Sequence, residues 1–230
     1  MSSAKEDILA RIRSSLADAP VAPEPVRNYR RVSELNEEQT IEMLVDRLID
    51  YKANVFHANK ENISEVIAER LGEKSTYVVP EGLNMEWLPA DTADRKRVTD
   101  SGSTLKPGCL TLKELDAVDA GVTGSTVSCA ETGTIFLNTN PDEGRRAISL
   151  VPDHHICVVP RSTVVELVPE SIERITYTRP VTMISGPSAT SDIELIRVEG
   201  VHGPRTLDVI IYDASGNAPE GKPLKKPPES

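Results

Sequence analysis

A chain of 230 residues suffices for one well-cored domain with tails. Its 36 acidic residues against 26 basic ones leave a net charge of -10, which repels phosphate backbones and argues against nucleic acid as a partner. No run of about 18 apolar residues occurs, and Lys5, Glu6 and Asp7 stand where a signal peptide needs an apolar stretch, so no membrane insertion is expected and the expected compartment is the cytoplasm.

Residues 4–17 place Ile8, Ile12 and Leu16 at four-residue steps among charges, the pattern of a short amphipathic helix. Three prolines from Pro20 to Pro25 read as a linker. Residues 1–19 are therefore expected to form a detachable helix, a docking arm, with residues 20–34 as a Pro-rich connection and 35–213 as the folded domain. Asn36 with Gln39 predicts a capped helix start, followed by an apolar face of Ile41, Leu44, Val45, Leu48 and Ile49 that should pack on a sheet. Residues 53–58 read as a strand, 62–71 as a helix stopped by Gly72, and 76–79 as a strand ended by Pro80, an order that implies a parallel unit. Thr111 opens a further capping box. Short apolar runs then follow at 117–122, 134–137, 156–159, 181–184 and 207–212, read as buried strands of one central sheet. Thr163 with Glu166 offers a helix start over 163–175, shortened by Pro169. Residues 214–230, with four prolines and three lysines, are expected to be a disordered tail. The predicted fold class is α/β.

The sharpest chemical segment is SGPSATSDIE (185–194), directly after a predicted strand, where open α/β sheets bind ligands. Its small and hydroxyl residues let backbone N–H groups converge, and Ser191 with Glu194 would start a helix there. Gly186, Ser188, Thr190, Ser191, Asp192 and Glu194 are thus candidates for holding a small anionic ligand, a phosphate or a carboxylate. The alternative is a plain turn at Gly186 and Pro187 whose hydroxyls bond their own backbone. In AETGT (130–134), Glu131 stands at a strand end beside Thr132 and Gly133, two further ligand-binding candidates, and a partly buried carboxylate there serves as base or nucleophile. Its alternative is a hairpin residue bonding neighbouring N–H groups.

Arg145, Arg146 and Arg205 are candidates for clamping an acid through the guanidinium fork, against the alternative of ion pairs with the many carboxylates. His154 and His155, adjacent on a strand, point to opposite faces and do not easily ligate one metal together. His202 is a further ligand-binding candidate, but Asp153, one of these histidines and His202 match no known metal spacing, and no metal is expected. Cys109, Cys129 and Cys157, at spacings of 20 and 28, fit neither a disulfide framework nor a cluster motif, so no iron–sulfur cluster is expected, and Cys129 and Cys157 read as small core residues.

Five ordered segments, CAETGT (129–134), GRRA (144–147), PDHHICVV (152–159), SGPSATSDIE (185–194) and GVHGP (200–204), together resemble the lactate utilization protein C family, whose members carry a LUD domain. The resemblance covers residues 35–213. It implies an open, mainly parallel sheet flanked by helices, similar to the NagB/RpiA/CoA-transferase class. It further implies a cytoplasmic role in the oxidation of L-lactate to pyruvate beside two partners, an iron–sulfur protein and a cysteine-rich protein. No catalytic residue carries over from the family. Glu131 as the catalytic group and the loop residues as ligand-binding groups are readings of this sequence. Two other functions stay open: a stand-alone transferase-type enzyme holding a phosphorylated or CoA-like ligand, and an assembly or sensing protein without chemistry.

Overall fold

The computed structural model describes residues 4–17, 23–73, 75–102, 107–190, 198–199 and 203–216, the pairs 189–190 and 198–199 by backbone alone. It divides into two compact units, Met1–Arg30 and Arg31–Ser230. In the first, helix α1 (Ala4–Leu16) forms over the predicted span and buries none of its residues, leaving Ile8, Ile12 and Leu16 exposed. Residues 1–3 and 18–19 of the expected N-terminal segment, 20–22 of the linker and 217–230 of the tail lie outside the described residues.

In the second unit the elements run α2 (Glu37–Asp50), β1 (Asn54–Asn59), α3 (Ile63–Leu71), β2 (Ser75–Pro80), β3 (Arg95–Asp100), α4 (Leu112–Asp116), β4 (Ala120–Thr123), β5 (Val127–Cys129), β6 (Thr134–Leu137), β7 (His154–Pro160), β8 (Val164–Val165), α5 (Val168–Glu173), β9 (Thr182–Ile184), β10 (Ala189–Thr190), β11 (Val198–Glu199) and β12 (Thr206–Asp213). Six strands form a sheet in the order β1-β12-β7-β4-β2-β3, and every neighbouring pair is parallel. The open, parallel, helix-flanked sheet is therefore as the resemblance implies. β1 and β2 are parallel members of it but not neighbours; the crossover through α3 spans three other strands.

Alternation along the strands divides the core. Ile210 on β12 packs with Ile63, Val66 and Ile67 of α3, whereas Val209 and Ile211 pack with Ile41, Leu44 and Leu48 of α2. The predicted cap of α2 is a true capping box, Asn36 Oδ1 accepting from the Gln39 N–H at 2.9 Å and the Asn36 N–H donating to Gln39 Oε1 at 3.1 Å. No helix among the described residues is long and apolar enough to cross a membrane.

Two expectations need correction. The runs 134–137 and 181–184 do not join the central sheet; they are β6 and β9 of a separate mixed sheet in the order β8-β5-β6-β9, because β5 turns straight back into β6 as a hairpin. Nor does Glu166 start a helix. Its buried carboxylate accepts from Ser33 Oγ (2.7 Å), the Glu34 N–H (2.8 Å) and the Leu35 N–H (3.1 Å), tying the incoming chain to β8, and the helix begins only at Val168 with Pro169 in its first turn.

Candidate functional site

Arg145 and Arg146 are adjacent in sequence and part company in the fold. β3 ends at Asp100, whose carboxylate is fully buried and accepts from Arg145 Nε (3.1 Å), Arg145 Nη2 (2.8 Å), the Gly102 N–H (2.8 Å) and the Leu110 N–H (3.0 Å). Arg145 Nη2 also donates to the Leu110 carbonyl. Burial by itself would raise the Asp100 carboxyl, but the Arg145 hydrogen bonds and the two backbone donors outweigh it and hold the group below the usual carboxylate range. Arg145 is therefore spent on an internal clamp. Arg205 likewise forks onto Asp153, at 2.8 Å from Nε with a second contact from Nη2, although this pair is exposed. For both arginines the ion-pair alternative is the one realised.

Arg146 opens a single 3-10 turn, Arg146–Ser149, and has no carboxylate partner among the described residues. With Ser149, His155, Ser185, Gly186 and Ser188 it lines a cavity of about 420 Å³. The SGPS loop is held at this cavity by three devices. β9 pairs with β6, which sets Ser185 Oγ 2.9 Å from Thr134 Oγ1. The Ser188 N–H donates to the Pro204 carbonyl at 2.9 Å. Gly186 takes φ +103°, and a Cβ there would lie 2.6 Å from the Tyr51 carbonyl oxygen at the end of α2, so no other residue fits without displacing backbone.

His155 is the buried polar member of this wall. It is the second residue of β7, 1% exposed, with Nε2 2.9 Å from Thr123 Oγ1 and Nδ1 buried without a hydrogen-bond partner among the described residues. Burial, reinforced by the neighbouring His154, pushes its pKa down to about 3, so the ring is neutral. His154 leaves the strand on the other face, Nε2 3.0 Å from Asp208 Oδ2, in keeping with the alternation read from the sequence. The sequence alone gave no role for either ring; an imidazole inside the apolar run that follows is the signal for a buried one.

The CAETGT turn meets the SGPS loop beside the cavity. Thr132 Oγ1 donates to Thr134 Oγ1 (2.8 Å), which is the Ser185 partner. Gly133, at φ +59°, packs so closely that a Cβ would lie 2.7 Å from Arg47 Cβ, and both glycine turns thus rest on the end of α2. Glu131 is exposed in this four-residue hairpin turn, its N–H donating to the Glu166 carbonyl at 3.0 Å, so the partial burial expected of it is absent. Thr190 lies in β10, described by backbone only, while Ser191, Asp192, Glu194 and His202, and the helix start expected at Ser191, lie outside the described residues.

The rule that open sheets bind ligands after their strands does not apply to the SGPS loop as expected, because β9 belongs to the mixed sheet and not to the parallel one. Sequence reasoning also missed Glu143. This carboxylate is 1% exposed and accepts from Thr126 Oγ1 (2.5 Å), the Asn138 N–H (2.6 Å) and the Asn140 N–H (2.8 Å), and burial holds it above the usual carboxylate range. Among the described residues no group of three or more His, Cys, Asp or Glu side chains could hold a metal ion. Cys129 and Cys157 are core residues as read, and burial pushes the Cys157 thiol up to about 12.

Residues 41–212 match the LUD domain family. The chain is 40% identical over 212 residues to lactate utilization protein C of Deinococcus radiodurans, a match covering 90% of this chain and 95% of the relative. It is 31% identical over 227 residues to an uncharacterized protein of Neisseria meningitidis, covering 90% and 93% respectively. The crystal structure of a DUF162 family protein from Deinococcus radiodurans is similar with a TM-score of 0.64 at 34% identity, covering 77% of this chain and 99% of that one.

Proposed function

Because this chain belongs to the LUD domain family, we propose that it serves lactate utilization as a cytoplasmic component without a redox cluster of its own, supporting oxidation of L-lactate to pyruvate beside iron–sulfur and cysteine-rich partner proteins. The observation that carries this reading is the 40% identity to lactate utilization protein C over 90% of the chain. The cavity supplies its chemistry. Arg146, with no carboxylate partner among the described residues, is a cation that can take a carboxylate, the neutral His155 and the hydroxyls of Ser149, Ser185 and Ser188 offer hydrogen bonds, and the glycine turn at Gly186 fixes the loop that carries Ser185 and Ser188. A small carboxylate is the anion that this wall suits. The exposed Glu131 is not part of this wall, and the unburied face of α1 is the docking arm.

The test is lactate-dependent pyruvate formation by the reconstituted partners, with this chain, without it, and with Arg146→Gln, Ser188→Ala and Glu131→Gln versions. The expected result is loss of turnover without the chain and with Arg146→Gln, with Glu131→Gln near wild type. Turnover lost only when the whole chain is omitted would replace the ligand site with a pure assembly role. Turnover unchanged throughout would sink the component reading altogether.

A further inference from the structure

The parallel sheet has its own topological switch point, between β2 and β4, and a cleft beside it shares no lining residue with the wall around Arg146. From β2 the chain steps outward to β3, then returns past β2 to β4 and continues the opposite way through β7 to β12. Connections leaving the carboxyl ends of two such strands diverge, and open α/β sheets bind ligands in the crevice between them.

Here the loop 139–144 crosses that edge. Its Pro141 carbonyl accepts from the Gly82 N–H (3.1 Å) after β2, and its Asp142 carbonyl accepts from the Gly124 N–H (2.9 Å) after β4. A side chain is excluded at Gly82, where a Cβ would lie 2.4 Å from Pro141 Cβ and 2.7 Å from its carbonyl oxygen, and one at Gly124 would have to displace the Asp142 carboxylate, 2.3 Å from its Cβ. At the head of the loop Thr139, a β-branched residue, is held at φ +56°, a conformation that persists only where the surroundings enforce it and that gathers at ligand sites.

Beside this loop opens a cleft of about 590 Å³, of the size that small-molecule sites have. One wall is Glu81 and Gly102 at the ends of β2 and β3, and the other is Thr139, Asn140 and Arg179. Arg179 is exposed and oriented by Asn140 Oδ1, 2.7 Å from Nη1, and has no carboxylate partner among the described residues, which leaves its other donors open. Glu81 is exposed with its carboxylate equally unengaged among them. Asp100, also in the wall, is already satisfied by Arg145.

We propose that this cleft is a second ligand site and that it takes a nucleotide. The Arg179 fork holds phosphate oxygens, and Glu81 on the facing wall accepts from the ribose hydroxyls, the role an acidic residue plays in dinucleotide sites of open sheets. The assignment stands independently of the lactate reading and of Arg146.

Calorimetric titration of the purified full chain with ADP, pyrophosphate and adenosine tests it. Saturable binding of one ADP per chain is expected, with pyrophosphate and adenosine each at least about tenfold weaker, since each lacks one of the two anchors. Arg179→Gln should weaken ADP about tenfold or more, Glu81→Gln several-fold, and Arg146→Gln not at all. Both substituted residues are exposed, so matching circular dichroism and melting curves certify the fold. Absence of saturable ADP binding overturns the proposal, as does ADP binding indifferent to Arg179→Gln. Pyrophosphate binding as tightly as ADP overturns the nucleotide assignment, and loss of ADP binding with Arg146→Gln instead would move the ligand to the other cavity.

Discussion

The Asp100–Arg145 clamp and the Arg146 cavity start one residue apart and obey opposite rules. In the clamp a buried carboxylate is met by a bidentate guanidinium and two backbone N–H groups, so the carboxylate is satisfied and the guanidinium is committed to it. In the cavity, among the described residues, a guanidinium lacks a carboxylate and a buried imidazole nitrogen lacks a hydrogen-bond partner. The difference teaches which of two identical side chains is available to a ligand: satisfaction marks a structural group, and its absence marks a group kept for something else.

The comparison breaks most visibly at Asp100. Asp100→Ala leaves Arg145 and two N–H groups facing an empty place, and should lower the unfolding free energy by about 3–5 kcal/mol in denaturant titration. An effect under about 1 kcal/mol would mean that the clamp is not structural. Next come the glycine turns. Gly133→Ala and Gly186→Ala, at positive φ and against the end of α2, should each cost about 1–3 kcal/mol in the same measurement. Gly72→Ala, also at positive φ but with open space around it, should cost less.

His155 sharpens the contrast through pH. Its pKa falls from 6.5 in the unfolded chain to about 3 in the fold, so as pH drops the unfolded state takes up the proton first. Stability associated with the neutral ring is present above 6.5 and is lost toward about 3, at up to about 1.4 kcal/mol per pH unit. Asp100, whose pKa is lowered, loses its contribution only below the ordinary carboxylate range, so the two windows separate. His155→Gln should flatten the stability profile between pH 6 and 4 without touching the acid limb, and an unchanged slope there would show the ring to be charged or exposed. The smallest stability effect belongs to Arg146→Gln, expected within about 0.5 kcal/mol of wild type by thermal or chemical unfolding. Arg145→Gln should instead follow Asp100→Ala.

Much of the local structure was legible. The Asn36 and Thr111 caps, the Gly72 stop and the apolar face of α2 all form where residue pattern places them. These signals act over three or four residues, and their physics is complete within that span. The same short range explains the failures. Thr163 and Glu166 have the spacing of a cap, yet Glu166 is taken by backbone donors more than 130 residues earlier in the chain. The runs 134–137 and 181–184 have the texture of central strands, yet the hairpin turn after β5 sends them into another sheet.

The candidate site followed the same division. By itself the sequence determined the residue types that could meet an anion, the glycines that permit tight turns and the opposite orientation of His154 and His155, because these depend on side-chain chemistry and strand geometry alone. Only the tertiary structure decided that Arg145 belongs to Asp100, 45 residues away, and that Arg205 belongs to Asp153, 52 residues away, leaving Arg146 to the cavity. It likewise decided that His155 is buried and neutral and that Glu131 is exposed. Burial and ion pairing depend on what the rest of the chain brings to a side chain, and no local pattern carries that information.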